Sequence, residues 1–282
     1  MSRAIPLVCS IGSSDPTGGA GIGLDIALNA LLGVRSAIVV TGVTAQNSRG
    51  VSLVAPLDAK AIRAQLGSVW SEARPDAIRI GLMPGVPAIR AVRTFFKTRA
   101  NALPPIILDP VLASTSGRRF AEAKDIAELT KIFKYAELVT PNADEAAVLA
   151  DMPVRSVEDA ADAAQRIARR AGCAVLVKGG HLGGGTCFDV LADRRGVVYI
   201  GAKRLRTTMR GTGCVLAAAI AAYRAHGLPL LDAIERARDI IAHAMRHATP
   251  LGRGRPLFNP AGSASTRRQR MSEARLLFGD KE

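Results

Sequence analysis

Five short stretches carry residues that could do chemistry. The first, "RGTGCVLAAAIAAY" (210–223), puts Gly211, Thr212 and Gly213 directly before an apolar helical run. Glycines let a backbone turn tightly with its N–H groups exposed, and the helix start adds unpaired donors and the positive end of the helix dipole. That combination makes an anion hole; a glycine turn capping a core helix is the plainer reading. Cys214 follows at once, with Arg210 close by in sequence. A thiol at a helix N-terminus beside a cation is expected to have a lowered pKa. It could take a proton from a substrate hydroxyl, whereas a small buried core cysteine could not.

"VTPNADEAAVL" (139–149) begins like a buried strand and ends like a helix. Asn142 and Glu145 stand between the two, in N-x-x-E spacing. Asp109 occupies another strand end, in "ILDP". These oxygen donors could organise a hydrated Mg²⁺, an ion that keeps waters and is shared with substrate phosphates. The alternative is that Asn142 caps the helix and Glu145 lies near its positive end. Lys178 closes "AVLVK" and could face phosphate. Two oxygen-donor sites, a lysine, an anion hole and a candidate base together are the parts for phosphoryl transfer.

The remaining glycine-rich stretch, "GSSDPTGGAGIGLD" (12–25), is neither of the usual nucleotide loops. It lacks G-x-x-x-x-G-K-[ST], and Leu24 stands where the last glycine of G-x-G-x-x-G belongs. It reads as a loop that lets a ligand approach the backbone, with Asp25 on the helix that follows.

Elements must bring these stretches together. "IPLVCSI" (5–11), "SAIVVTGV" (36–43), "DAIRIG" (76–81), "PIILD" (105–109), "ELVT" (137–140) and "AVLVKGG" (174–180) are short β-rich runs ending in polar or glycine residues, and helical patterns separate them. One helix places Ile62, Leu66, Val69 and Trp70 on a single face. Another begins with the capping pair Ser156 and Asp159 and should stop at Gly172. Strands alternating with helices imply α/β architecture, with a mostly parallel central sheet covered by helices on both faces. "GVSLVAP" (50–56) adds a small flap strand. Residues 186–202 read as a hairpin around Arg194–Gly196, and the last two helices span about 213–225 and 229–246. One domain over 1–248 is expected, with an irregular basic tail over 249–282.

Composition removes several classes. The chain has 282 residues, 48% hydrophobic and 22% charged, which suits a full globular core and argues against bulk disorder. Aromatics are only 4%, so close helix packing is expected in place of aromatic clusters. The net charge of +14 is scattered apart from "RRQR" at Arg267–Arg270. Nucleic acid and membrane surfaces are therefore not the expected partners; a basic surface with some bias toward phosphate ligands is. Cys9, Cys173, Cys187 and Cys214 show no C-x-x-C spacing. His243 and His247 are four apart, but no third ligand lies near in sequence, so an intrahelical polar pair is preferred to a metal site. With no signal-peptide pattern and no membrane-length apolar run, the expected place is the reducing cytoplasm.

In family order, "GSSDPTGGAGIGLD", "TAQNSRGV", "IRIGLM", "ILDPV", "VTPNADEA", "VLVKGGH" and "GTGC" resemble the hydroxymethylpyrimidine and hydroxymethylpyrimidine-phosphate kinases of thiamin biosynthesis, within the ribokinase superfamily. The resemblance runs from about Pro6 to Met245. It implies a ribokinase-like fold, ATP as co-substrate, Mg²⁺ as cofactor, a small pyrimidine alcohol as acceptor, and a homodimer. It also implies that Asp25, Gln46, Gly12, Leu82 and Val111 line the pyrimidine pocket, with Gln46 reading the aminopyrimidine edge. Gly211, Thr212, Gly213 and Cys214 would form the anion hole and base. Asn142, Lys178 and Arg210 would meet phosphate, and Asp109 and Glu145 the metal. "GVTAQNSRGVSLV" would supply strands near the site and the dimer interface.

Two positions depart from the family pattern: Arg210 replaces a common histidine, and Leu82 a common methionine. Leucine conserves apolar volume, so the pocket should survive. Arginine adds a fixed charge beside the anion hole, which bears on which acceptor is preferred. Competing readings are a pyridoxal kinase of the same fold, a non-catalytic pyrimidine sensor, and a nucleic-acid binder resting on charge alone.

Overall fold

The computed structural model describes residues 5–114, 117–260 and 262. Nine strands of the described chain form a single sheet in the order β3-β2-β1-β4-β5-β6-β7-β8-β9. Six of them run parallel: β1 (Leu7–Ser14), β2 (Arg35–Gln46), β4 (Ala77–Ile80), β5 (Ile106–Leu108), β6 (Leu138–Val139) and β7 (Ala174–Val177). Three antiparallel strands finish the two edges. β3 (Val51–Pro56) pairs with β2 as the expected flap, and β8 (Thr186–Asp193) and β9 (Gly196–Lys203) form the expected hairpin.

The inner strands are short apolar runs because a parallel sheet is buried on both faces. Period-2 alternation divides them between two cores. Cys9, Ile11, Ile78, Ile80, Ile106, Leu108, Val139 and Val175 face one core. Val8, Ala77, Ile107, Leu138 and Leu176 face the other. The first is covered by α2 (Ala59–Glu72), α3 (Val86–Lys97), α4 (Ala123–Leu129), α5 (Ala143–Ala150) and α6 (Val157–Ala171). The second is covered by α1 (Gly21–Leu31), α7 (Thr212–Ala225) and α8 (Leu230–Arg246). In α7, Ala217, Ala218, Ala219, Ala221 and Ala222 are all buried, so small side chains let this helix lie close to the sheet. The start of α6 forms the expected capping box between Ser156 and Asp159, and Gly172 ends it in the left-handed region at φ 73°.

Strand β1 has β2 on one side and β4 on the other, so the chain reverses direction across the sheet there. In open α/β sheets ligands bind outside the carboxyl ends of the strands at such a switch point. Residues 12–14, 81–82, 109, 140–142 and 178 all stand at that edge.

Packing continues past Ala248. Thr249 and Leu257 exchange backbone hydrogen bonds of 3.1 and 2.9 Å, and Leu257 and Phe258 are buried. The first ten residues expected in the tail are thus joined to the domain by apolar burial. Arg267–Arg270 lie outside the described residues.

Candidate active site

The turn before α7 is shaped by contact with the loop after β1. Gly211 has φ 82°, in the left-handed region, and a Cβ there would overlap the carbonyl oxygen of Gly19. Both facts require glycine. Thr212, Gly213 and Cys214 open α7, so their N–H groups are among the unpaired donors of its first turn. Gly213 faces the charged strand ends: a Cβ there would sit 3.1 Å from Lys178 Nζ. The first turn of α7, Lys178 and Asp109 therefore share one small volume.

Lys178 Nζ donates to Asp109 Oδ1 at 2.7 Å, and Thr140 Oγ1 donates to the same oxygen at 3.4 Å. Burial alone would lower the Lys178 pKa, but the nearby charges of Asp109 and Glu145 outweigh it and raise it, so the side chain stays an ammonium. Asn142 and Glu145 form a complete capping box. Glu145 N donates to Asn142 Oδ1, and Asn142 N to Glu145 Oε2, both at 2.8 Å. Glu145 Oε1 also accepts from Leu112 N at 3.4 Å. The helix-cap reading of Asn142 and Glu145 holds. Burial, opposed by Lys178 and reinforced by Asp109, pushes the Glu145 carboxyl up to about 7.

Cys214 retains some solvent-facing surface while lying among charged groups. The expected lowering of its pKa is reversed. Desolvation raises it, Asp109 and Asp25 raise it further, and Arg79 and the Gly21 N–H oppose them. The expected cation was Arg210, and Arg210 turns elsewhere. Its Nη2 pairs with Asp15 Oδ2 at 2.6 Å, and its Nη1 donates to Thr17 Oγ1 at 3.2 Å. Asp15 Oδ1 in turn accepts from the backbone and hydroxyl of Thr17 at 2.9 Å each. Arg210 N donates to Pro256 O at 2.9 Å. Arg210 thus ties the glycine loop to the turn before α7, in neither the anion hole nor open solvent.

The residues assigned to the pyrimidine pocket divide. Gln46 is half-buried at the end of β2, where a register shift between Ala45 and Gln46 interrupts pairing with β3; such bulges re-aim a side chain. Val111 and Leu82 are also half-buried. The Leu82 carbonyl accepts from Thr41 Oγ1 at 2.7 Å and Ser13 Oγ at 3.1 Å, which fixes the turn after β4. Gly12 and Asp25 are buried, and Asp25 has no exposed surface. It faces Arg79, at 3.3 Å. Desolvation raises its pKa to about 6 against the opposing pull of Arg79.

Arg79 was not among the expected site residues. Its signal in the sequence was a lone charge inside an apolar strand, "AIRI". Among the described residues no three His, Cys, Asp or Glu side chains group as a metal site. His243, in the last turn of α8, and His247, which caps its C-terminus, stack at 4.1 Å.

The Arg210 geometry changes the expected role of that residue. Arg210→His removes a charge-assisted hydrogen bond of the kind worth about 1.5–3 kcal/mol, which loosens the glycine loop. KM should rise for phosphorylated and unphosphorylated acceptors alike, by roughly tenfold, since each 1.4 kcal/mol is a factor of ten. Steady-state kinetics on both acceptors is the check; a rise confined to the phosphorylated one would return Arg210 to phosphate recognition.

The family model described as phosphomethylpyrimidine kinase matches residues 15–259. The hydroxymethylpyrimidine/phosphomethylpyrimidine kinase of Rhizobium meliloti is 37% identical over 254 residues, covering 88% of this chain and 94% of that protein. The thiamine biosynthesis bifunctional protein ThiED of Geobacter sulfurreducens is 36% identical over 252 residues; the match covers 88% of this chain but only 50% of that longer protein. Among solved structures, the Bacillus subtilis pyridoxal kinase in an ADP complex superposes with a TM-score of 0.82 at 27% identity, covering 92% of this chain and 99% of that one. The fold is ribokinase-like, and because the family model matches residues 15–259, well over half of its length, the chain belongs to the phosphomethylpyrimidine kinase family.

Proposed function

We propose that this chain is an ATP-dependent kinase that phosphorylates 4-amino-5-hydroxymethyl-2-methylpyrimidine, and also its monophosphate, in thiamin biosynthesis. The observation that carries the reading is the meeting of Gly213, Lys178 and Asp109 at the mouth of α7, beside Cys214. Helix-start N–H groups there can hold the transferring phosphoryl oxygens, and the Lys178 ammonium adds fixed positive charge. Cys214, next in the chain, is placed to take the acceptor's hydroxyl proton. Asn142, beside Lys178 in a parallel bridge, would meet the nucleotide's phosphates on this reading.

Mg²⁺ fits the donors present. Asp109 and Glu145 supply hard carboxylate oxygens, the donors that would hold the ion, and the charge of Asp109 acts on Glu145. When bound, the ion neutralises charge on the phosphate oxygens.

The exposed apolar side chains Val43 and Leu53 lie on β2 and β3 at the sheet edge, which supports a homodimer through that edge. No helix among the described residues is long and apolar enough to cross a membrane. The four cysteines are free, which supports a reducing cytoplasm as the place of work.

A coupled ATP-consumption assay across hydroxymethylpyrimidine, its phosphate and the B6 vitamers tests the proposal. Turnover should be fastest on the pyrimidines. A higher kcat/KM for pyridoxal would favour the second reading, which the likeness to the Bacillus subtilis enzyme keeps in play. No ATP consumption with any acceptor would leave a binding protein. Gln46→Leu sharpens the same test. A half-buried amide offers a donor and an acceptor to the aminopyrimidine edge, and a ligand left unpaired against it is penalised. Pyrimidine binding should weaken by roughly tenfold, the effect of losing about one hydrogen bond, with ATP binding unchanged in calorimetry. Equal loss for both ligands would remove Gln46 from the pocket.

A further inference from the structure

Among the described residues Arg79 is the largest of the fully buried side chains, at 1% exposure, and the chemistry described above makes no use of it. An arginine is almost never buried so completely unless it is paired. It leaves β4 on the same face as Ala77 and Gly81, toward α1 and α7. Its Nη1 lies 3.3 Å from Asp25 Oδ2 and its Nη2 lies 3.5 Å from Asp109 Oδ2. These separations exceed the about 2.7–2.9 Å of a charge-assisted hydrogen bond, so packing and charge hold the group in place. Glycine makes the room: a Cβ at Gly81 would overlap the guanidinium, and one at Gly12 would touch Nη1 at 3.6 Å.

The consequence for Asp109 is specific. One of its oxygens meets Lys178 at 2.7 Å and the other faces Arg79, so a cation on each side fixes the rotation of the carboxylate. On its other arm the same fork meets Asp25 of α1, and it also faces the Cys214 sulfur. Arg79 is too buried to touch a substrate, yet it joins the acceptor side of the site to the phosphate side. We propose that Arg79 is a positioning residue for phosphoryl transfer: a rigid fork that holds Asp25 and Asp109 at one spacing and so keeps acceptor and phosphate in register. This rests on the kinase reading.

Lysine keeps the charge but presents a single point, which cannot span two carboxylates as a planar fork does. Arg79→Lys should therefore fold and bind ATP with wild-type affinity in calorimetry, while kcat falls on the order of 10–100-fold, the penalty of a displacement of about 1 Å at a reacting centre. KM for the acceptor should change little. The double variant Arg79→Met with Asp25→Asn removes both partners of the buried pair together, which avoids leaving an uncompensated carboxylate. It should recover thermal stability without recovering kcat. Wild-type kcat per folded molecule in Arg79→Lys, or its return in the double variant, would overturn the proposal and leave Arg79 a structural charge. Each variant is compared with the wild type on whichever acceptor the wild type turns over fastest. Failure of the wild type on hydroxymethylpyrimidine counts against the substrate assignment; an unchanged variant-to-wild-type ratio counts against Arg79.

Discussion

Replacing Cys214 by alanine should lower kcat by about 10²–10⁴-fold, the usual worth of a positioned general base. The fold should tolerate the change, because alanine is a strong helix former and Cys214 lies in the first turn of α7. The reversed pKa gives the prediction a second signature. A base must be deprotonated to act, and burial raises this thiol above its ordinary range. The kcat/KM of the wild type should therefore keep rising with pH toward and past the usual thiol range. Cys214→Ala should lose that limb. Near-normal turnover in the variant, measured by the coupled assay, would sink the assignment of Cys214 as base.

Lys178→Met should lower kcat by about 10²–10³-fold, as losing one preorganised electrostatic contact to a developing charge does elsewhere. The argument is geometric. The ammonium is fixed at 2.7 Å from Asp109, within reach of the space above Gly213, and its neighbours keep it charged. Removing one partner of a buried ion pair normally costs about 3–5 kcal/mol. The loss here should be smaller, because Lys178 is 15% exposed and Arg79 still faces the other oxygen of Asp109. A thermal melt measures that part, and single-turnover kinetics at saturating ATP measures the chemical step. If the single-turnover rate is unchanged while KM for ATP rises, Lys178 binds nucleotide without assisting transfer.

Much of this protein was legible along the chain because the signals are local. Short β-rich runs ending in Gly, Asp, Asn and Lys marked the strands and the edge at which they point. The Ser156–Asp159 box and Gly172 marked both ends of α6, since capping depends on residues three or four apart. "GTGC" marked a tight turn onto a helix for the same reason. What the sequence could not decide was how charges far apart in the chain pair with one another. Arg210 is 195 positions from Asp15, and nothing local says that it turns back to the glycine loop and away from the anion hole. Asp25 reads as a pocket residue, but only the closing of α1 onto β4 places it against Arg79 without exposed surface. The Cys214 pKa followed the same path. Its helix position argued for a lowered value, and burial among Asp25 and Asp109 reversed the sign. Sequence determined the elements and the order of their chemical groups, because both follow from neighbours along the backbone. Tertiary structure decided which charge meets which, because pairing and desolvation depend on distances that exist only after the sheet has formed.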